Sequence, residues 1–461
     1  MIHASRRSLI LLTALLPSLV VTIAWFVHRW VKLDSSAAYF SGAVGNLCAL
    51  IGISIFIIMV LTGMRFPVIE KTFGLDRLMR FHIMAGPIVI ILFISHAVLR
   101  FTKVSLLSPD GWQWPFLLHI NADDIGLSLG KIALAGAILA AGLAKLGRYF
   151  VPYNFWKPFH FLLYAAIPIG FAHARIKGDD IIEFPYNIIF YILAGIFLIS
   201  FIYRMNYLYR RNELFIWDFA NASRETHDTN SFYLKREGTK HFFGRRVPGQ
   251  FAVIRYLKSG TWSEPRPFTI SSEPGSDRIS LTIKNTGKFT SGMHSLEKGT
   301  KVMCEGPYGI FYPDFKREKK LVFIAGGVGI TPFLSILRHI KKVKEDCDVT
   351  IIWSVKTHGD IIAKDELEKI SGELSGRLKI IIIITRENKP EPGKESEVLQ
   401  SDSLVYEYGR MNENIFKKYI KGSDSSVYLC GPQRMQAFVL TALKKYLGIK
   451  PASVKREGFF W

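Results

Sequence analysis

Six apolar stretches, near residues 8–27, 42–62, 81–100, 128–147, 157–175 and 184–203, crowd into the first 210 of 461 residues. Each approaches the roughly 20 residues that take a helix across a bilayer at about 1.5 Å rise per residue. In hydrocarbon every backbone amide must be bonded within its own segment, so these stretches predict a bundle of six transmembrane helices. Arg6 and Arg7 precede the first stretch and no small-residue cleavage site follows it, which reads as a retained helix and not a removable signal.

Loop charges orient the bundle. Arg6/Arg7, Arg65/Lys71/Arg77/Arg80, Lys145/Arg148/Lys157 and Arg204/Arg210/Arg211 fall on one side of a six-span arrangement. Asp110, Asp123, Asp124, Asp179, Asp180 and Glu183 fall on the other, where Arg29, Lys32, Arg100, Lys103, Lys131, Arg175 and Lys177 dilute the asymmetry. The positive side is cytoplasmic, so both termini are expected there, in a multi-pass protein of the cell membrane.

Four histidines, His82, His96, His160 and His173, sit as two pairs inside separate apolar stretches, with gaps of 14 and 13 residues. Either gap spans about 20 Å along a helix, the separation that two b-type haems stacked across a bilayer need. Imidazole is costly in a membrane interior and is a normal axial ligand of haem iron. With the third and fifth spans both running outward, His82 is expected opposite His160 at an inner haem and His96 opposite His173 at an outer one. A gap of 14 returns to within about 40° of the same helix face, but a gap of 13 leaves the residues about 140° apart. A distortion is therefore expected near Pro168, an interior proline.

The net charge of +21 comes with no basic-aromatic stripe or nucleic-acid module, so no nucleic-acid partner is expected. Anionic lipid and phosphate-rich cofactors account for it. Cys48 lies in a span and Cys304, Cys347 and Cys430 in the cytoplasmic half, which leaves no disulfide framework.

After Arg211 the pattern changes to short alternating runs, Glu213–Phe219, Ser231–Leu234, Gln250–Tyr256 and Ile279–Asn285, which predict antiparallel strands in a small barrel. From Lys320 a strand (Leu321–Ala325), a Gly-rich turn, a helix (Pro332–Lys344) and a strand (Val349–Ser354) make a βαβ pattern. The division expected is a haem-bearing membrane domain at 1–210, an FAD-binding β-barrel at 211–316 and an α/β Rossmann-like NAD(P)H-binding domain at 317–461.

Several stretches in fixed order carry the chemistry. In Arg266-Pro-Phe-Thr-Ile-Ser-Ser272 an arginine suits a pyrophosphate, Phe268 a flavin or adenine face, and Thr269 or Ser271 the flavin edge. In Gly287-Lys-Phe-Thr-Ser291 the glycine admits a close backbone, and Thr290 or Ser291 caps a helix pointing at phosphate. Gly326, Gly327 and Gly329, followed by Thr331 and Pro332, form a phosphate-cradling strand-to-helix turn. Tyr428-Leu-Cys-Gly-Pro432 is a second such turn, which brings Cys430 and Gly431 to the nicotinamide. The chain closes on Glu457-Gly-Phe-Phe-Trp461, which suggests a lid on a flavin.

This order, with Gly306-Pro-Tyr-Gly309 between the second and third runs, resembles the ferredoxin–NADP reductase module. Joined to six spans with two histidine pairs, it resembles the NADPH oxidase and transmembrane ferric reductase superfamily, and within it a prokaryotic-type NADPH oxidase. The resemblance implies that Arg266, Phe268 and Thr269 bind FAD with Gly287 and Thr290 at its pyrophosphate, and that Gly327, Gly329 and Thr331 bind the nicotinamide dinucleotide. It implies that Phe459 stacks on the isoalloxazine. Pro267, Ser271, Lys284, Ser291, Gly326, Pro332, Ser354, Gly431 and Pro432 complete the expected cofactor set, and Phe459, Cys430 and Arg100 the catalytic one. Arg266 stands where many of the oxidases have histidine, and Phe460 and Trp461 extend past their usual terminal phenylalanine.

The implied function is transmembrane electron transfer from cytoplasmic NADPH or NADH, through FAD and two haems, to an acceptor outside: oxygen giving superoxide, or a ferric complex. Lys356 at the end of the second α/β strand, with Arg386 and Arg410 in later loops, suits a 2′-phosphate and favours NADPH. Arg100, one turn beyond His96, and Arg175, two residues beyond His173, either pair with haem propionates or serve the acceptor, while the second span offers no equivalent polar residue. A channel or transporter with a redox-sensing flavin domain is the competing class. It lacks the acidic residues a proton path would place within the spans. Homo-oligomerisation and partner subunits stay open.

Overall fold

The computed structural model describes residues 36–109, 124–147, 150, 153–178, 180–236, 246–374, 376–389, 403–420 and 424–458, with eight helical positions between 16 and 27. Backbone contacts divide the chain into two units, Met1–Arg210 and Arg211–Trp461.

Five helices among the described residues are long and apolar enough to cross a membrane: Ala37–Gly63, Leu75–Leu107, Ile125–Gly147, Lys157–Lys177 and Tyr186–Phe215. The expected first span, 8–27, lies mostly outside the described residues, as do Arg6, Arg7, Asp110, Asp123, Arg148, Asp179 and the terminal Phe459, Phe460 and Trp461. In chain order the helices of this unit are α1 (Ala37–Gly63), α2 (Pro67–Phe73), α3 (Leu75–Leu107), α4 (Ile125–Gly142), α5 (Tyr153–His160), α6 (Leu163–Lys177) and α7 (Tyr186–Phe215). Ser36 caps α1 by accepting from the Tyr39 amide, and Asp124 caps α4 by accepting from that of Leu127.

Between lipid-facing helices apolar burial against a partner offers little advantage over lipid, so close approach depends on small residues. In α1 a Cβ on Gly45 would lie 3.1 Å from Leu99 Cβ, and one on Gly52 2.8 Å from the Phe93 ring. Gly63 lies over the His82 ring, so α1 and α3 run antiparallel in close contact. The same device joins α4 to α6: Gly126 lies against Ile176 and Lys177, Gly130 against His173 and Gly136 against Ala166.

The distortion expected at Pro168 lies elsewhere. α6 runs unbroken across Pro168, and the helix is interrupted at Phe161–Leu162, directly after His160. There the amides of Phe161, Leu162, Tyr164 and Ala165 bond to carbonyls three residues back, those of Pro158, Phe159, Phe161 and Leu162. A three-residue repeat turns about 120° per residue in place of 100°, so four such bonds wind the chain forward by roughly 80° and remove most of the mismatch between His160 and His173. Proline at 168 fits an intact helix because its missing amide faces Tyr164, in the turn the interruption has already loosened.

In Arg211–Trp461 the strands are β1 (Ile216–Arg224), β2 (Thr229–Lys235), β3 (Phe251–Lys258), β4 (Thr261–Trp262), β5 (Arg266–Thr269), β6 (Ile279–Lys284) and β7 (Lys301–Tyr308), in an antiparallel sheet ordered β4-β3-β7-β1-β2-β6 with β5 against β3. The strand expected from Glu213 begins later, because α7 continues through Phe215. A bridge from Ile270 to Leu281 links the segment after β5 to β6. The core beneath holds Trp217, Phe232, Leu234, Ile254, Leu281 and Ile283.

A second sheet is wholly parallel, in the order β11-β10-β9-β8-β12-β13. Its strands are β8 (Lys320–Gly326), β9 (Asp348–Val355), β10 (Leu378–Ile384), β11 (Leu404–Tyr408), β12 (Ser426–Cys430) and β13 (Lys455–Glu457). Both faces are covered, which explains why β10 reads Leu-Lys-Ile-Ile-Ile-Ile-Ile without alternation: Ile380, Ile382 and Ile384 enter one core and Ile381 and Ile383 the other. Strand order reverses between β8 and β12, so a crevice opens beyond their carboxyl ends, where such sheets bind nucleotides. After α8 (Lys288–His294), the helices of this region are α9 (Thr331–Val343), α10 (Lys364–Glu373), α11 (Glu413–Tyr419) and α12 (Gln433–Leu447).

Candidate functional site: two imidazole pairs, a flavin cavity and a nucleotide crevice

The four membrane histidines meet as two facing pairs. Ring centroids of His82 and His160 are 6.1 Å apart, and those of His96 and His173 are 6.3 Å apart. Two imidazoles on one iron, with metal–nitrogen bonds of about 2 Å and each nitrogen about 1.2 Å from its ring centre, hold their centroids roughly 6.4 Å apart. The second nitrogen of each ring is directed elsewhere. Nδ1 of His82 meets the Met59 carbonyl (3.2 Å), that of His96 the Gly45 carbonyl (2.9 Å) and that of His173 the Gly126 carbonyl (2.8 Å). Nδ1 of His160 lies against the Ala140 carbonyl without closing a bond of normal geometry. A carbonyl can only accept, so Nδ1 carries the proton and Nε2 keeps its lone pair for a metal. The residues present thus fit a haem iron at each pair.

Helix register explains the repetition. Met59 and Gly45 are separated by the same fourteen residues as His82 and His96, so one antiparallel contact anchors both rings of α3. Gly130 is needed for shape: a Cβ there would stand 2.6 Å from His173 Nδ1.

The expectation that the second span offers no equivalent polar residue is corrected by Asn46, which follows Gly45. Its amide donates to the buried Asp180 carboxylate (2.7 Å) and accepts from Arg100 (3.5 Å). Arg100 is therefore one member of an Arg–Asn–Asp group near His96 and His173. Sequence spacing gave no sign of Asp180, whose position depends on the turn after α6.

In the second unit a cavity of about 980 Å³ is lined by Arg266, Pro267, Phe268, Thr269, Lys284, Gly287, Thr290 and Thr331, bringing together residues from four sequence-predicted runs. The Thr269 hydroxyl is buried there without a hydrogen-bond partner among the described residues, an atom that a polar ligand edge would satisfy. Phe268 stacks on Phe289, with centroids 5.6 Å apart. The Arg266 guanidinium is held by Glu264 at 2.9 Å, and the Lys284 ammonium by Asp228 at 2.7 Å. These features fit a flavin nucleotide. Tyr256, Lys258, Trp262, Lys288 and Phe289 also line the cavity and escaped sequence reasoning, since only the pairing of β3 with β4 and β5 brings Tyr256, Lys258 and Trp262 there.

Three expected contacts take other roles. Ser271 is fully buried, its hydroxyl bonded to Ser280 (2.9 Å) and Thr282 (3.1 Å), because past the end of β5 the chain pairs with β6 and the Ser271 amide donates to the Ser280 carbonyl (2.8 Å). Thr290 accepts from the Thr286 and Gly287 amides (both 2.9 Å), and Ser291 donates to Asn285 (2.8 Å), so both hold the turn itself.

At the crevice, backbone approach dictates composition. A Cβ on Gly329 would lie 2.6 Å from the Cys430 carbonyl oxygen, and one on Gly326 2.5 Å from Met435 Sδ. The Gly-rich turn and the Cys430–Pro432 turn therefore interlock. Gly327, at φ +53°, would point a Cβ into open space, which leaves that face to a ligand. Trp353 donates to the Gly327 carbonyl (2.9 Å) and Thr331 to that of Val328 (3.0 Å), fixing the turn ahead of Pro332 and α9. Cys430 is wholly buried and burial pushes its thiol up, so what it presents to the crevice is its carbonyl and not a reactive sulfur. Ser354 is the penultimate residue of β9, and the exposed Lys356, Arg386 and Arg410 follow the carboxyl ends of β9, β10 and β11. The Arg386 amide bonds to the Lys356 carbonyl (2.9 Å).

Known proteins match the chain in three segments. Residues 48–171 match the family described as ferric reductase like transmembrane component, 216–311 an FAD-binding domain, and 323–441 an oxidoreductase NAD-binding domain. Ferric reduction oxidase 2 of Arabidopsis thaliana is 25% identical over 87% of this chain and 53% of its own length. A flavohemoprotein of Bacillus subtilis is 27% identical over 52% of this chain and 58% of its own. The glycine betaine monooxygenase reductase subunit of Pseudomonas aeruginosa is 34% identical over 33% of this chain and 42% of its own. The chain spans about half the length of these relatives. With a ferric reductase-like membrane component followed in order by FAD- and NAD-binding oxidoreductase domains, the chain belongs to the NADPH oxidase and transmembrane ferric reductase superfamily.

Proposed function

We propose that the protein moves electrons from NAD(P)H across a cell membrane to a one-electron acceptor on the far side. The observation that carries this reading is the pair of facing imidazole sets, at 6.1 and 6.3 Å, each offering free Nε2 atoms within apolar helices. Bound FAD supplies hydride acceptance and single-electron release, and two b-type haems supply one-electron carriage. His82 and His160 hold the inner haem, and His96 and His173 the outer. Arg266, Pro267, Phe268 and Thr269, with Lys284 and Gly287, hold the flavin in a closed antiparallel barrel. Gly326, Gly327, Gly329, Thr331 and Gly431 receive the nicotinamide nucleotide, and Lys356, Arg386 and Arg410 receive a 2′-phosphate. The nucleotide-binding half is cytoplasmic, and residues 1–210, 211–316 and 317–461 act as the three domains.

For the acceptor the first reading is oxygen, reduced to superoxide, because a cation at Arg100 near the outer pair stabilises a developing anion. A second reading, a ferric complex, is favoured by the resemblance to ferric reduction oxidase 2 over 87% of the chain. Oxygen consumption and ferric-chelate reduction, driven by NADPH in one preparation, separate them. Superoxide formed in proportion to NADPH used supports the first, and ferrous product formed at the same rate with and without oxygen overturns it.

A further inference from the structure

Four side chains of α9, Thr331, Ser335, Arg338 and Lys342, recur at spacings of four, three and four and so share one face of the helix. The first lines the flavin cavity, and the other three bond to one short segment, Ser271–Pro274. The Ser335 hydroxyl donates to the Ser272 carbonyl (2.9 Å), Arg338 to the Ser271 carbonyl (2.6 Å) and Lys342 to the Pro274 carbonyl (3.4 Å). Arg338 is the rigid member. Its remaining nitrogens fork onto Glu366 of α10 at 2.7 and 2.6 Å, and its side chain is mostly buried.

That segment directly continues β5, whose Thr269 presents its unpartnered hydroxyl to the flavin cavity two residues earlier. At its other end α9 starts from the Gly-rich turn, and Val328 and Thr331 line the same cavity. One helix therefore joins the nucleotide turn to the flavin strand. Arg338, two turns behind Thr331, sets how far the helix start stands from Thr269.

Resting on the electron-transfer reading above, we propose that Arg338 is a positioning residue for hydride transfer, holding the nucleotide turn in register with the flavin strand through Ser271 and Glu366. The step it serves breaks the nicotinamide C4–H bond and forms a flavin N5–H bond. Both electrons travel with the hydrogen, oxidising the nicotinamide to its cation and reducing the flavin to its anionic hydroquinone. Such a step depends on near-contact geometry, and a misplacement of about 1 Å costs up to about a hundredfold.

The test uses the full-length, FAD-loaded protein mixed anaerobically with NADPH or NADH. Arg338→Met should lower the limiting rate of flavin reduction roughly ten- to a hundredfold, with the half-saturating nucleotide concentration changed less than about twofold. The deuterium isotope effect with 4-deuterated nucleotide should rise, FAD per chain should stay near wild type, and the thermal midpoint should fall by only a few degrees, as expected for loss of a partly exposed pair. Arg338→Lys should recover part of the rate, since an ammonium still reaches the Ser271 carbonyl but cannot fork onto Glu366. Glu366→Gln, which loosens the fork from its other end, should lose about threefold and keeps the question open to test if Arg338→Met fails to fold. A limiting rate equal to wild type in Arg338→Met, or in Glu366→Gln if only that variant folds, overturns the proposal. So does a rate that falls only in proportion to lost FAD. A wild-type flavin that neither nucleotide reduces overturns the electron-transfer reading itself, and this proposal with it.

Discussion

Met1–Arg210 and Arg211–Trp461 place their chemistry on different parts of the chain. In the membrane unit four imidazoles on neighbouring helices face one another in pairs, and the backbone serves three of them by accepting from Nδ1. In the second unit the backbone itself lines the nucleotide crevice, and side chains such as Trp353 and Thr331 serve the turn. The difference follows from solvent. Hydrocarbon obliges every backbone group to bond within its helix, leaving only side chains to act, whereas a strand-to-helix turn leaves amides free for phosphate. The first kind of site should fail when one side chain is removed, and the second when one methyl is added.

The largest effect is expected from His82→Leu or His160→Leu. Each should lose the inner haem and stop transmembrane electron flow, while NAD(P)H-driven reduction of a soluble dye by the second unit persists. Pyridine haemochrome analysis of the two purified variants checks this, and unchanged haem content in both removes the ligand assignment.

A glycine from each unit sharpens the comparison. Gly329→Ala puts a methyl 2.6 Å from a backbone carbonyl that cannot yield, and should cut nucleotide-driven flavin reduction more than about tenfold with haem content intact. Gly130→Ala puts one 2.6 Å from His173 Nδ1, so the ring must turn, and should lower outer-haem occupancy while leaving dye reduction unchanged. Haem and dye assays on both variants that move together would break the contrast between side-chain and backbone sites.

Much of this was legible beforehand, for reasons tied to regular structure. Spacings of 14 and 13 within helices fix positions along the membrane normal, so the pairing His82–His160 and His96–His173 could be expected before any coordinates. The interruption after His160 could not be seen, since Pro168 is the more obvious breaker and the actual rewinding rests on i−3 bonds around Phe161. Asn46 and Asp180 lie 134 residues apart and meet only through tertiary packing. Arg266–Thr269 could be read as a run, but Tyr256 and Trp262 could not, because that wall of the cavity is closed by strand pairing and not by any one segment. The inward role of Ser271 is invisible in the run itself, because it depends on the chain past β5 pairing with β6, where Ser280 and Thr282 engage its hydroxyl.

A smaller effect is expected beyond the carboxyl ends of β9 and β11. Lys356→Ala with Arg410→Ala should lower the ratio of NADPH to NADH turnover about tenfold, since a charged hydrogen bond contributes roughly 1.5–3 kcal/mol. An unaltered ratio in steady-state assays with each nucleotide puts the preference on other residues.

The smallest effect concerns pH. Burial pushes the Glu366 carboxyl up, but the Arg338 fork outweighs it and holds the group below its usual value. A depressed carboxyl contributes stability above its unfolded pKa, about 4.3, and loses it as pH falls through the lower folded value. Wild type should therefore melt no more than roughly 2–4 °C above Glu366→Gln at neutral pH, because the pair is partly exposed, and the gap should close below about pH 4. Calorimetry of both proteins across that range checks the sign, and a gap independent of pH contradicts it.

The central claim, that the two imidazole pairs and the flavin cavity form one electron path, is tested most directly by visible spectra of the purified protein titrated anaerobically with NADPH. The account predicts two low-spin b-type haems per chain, with sharp bis-imidazole bands that appear as the flavin bleaches and disappear on admitting oxygen or a ferric chelate. A flavin that bleaches in a protein containing no haem, or beside haem bands that NADPH never reduces, contradicts it.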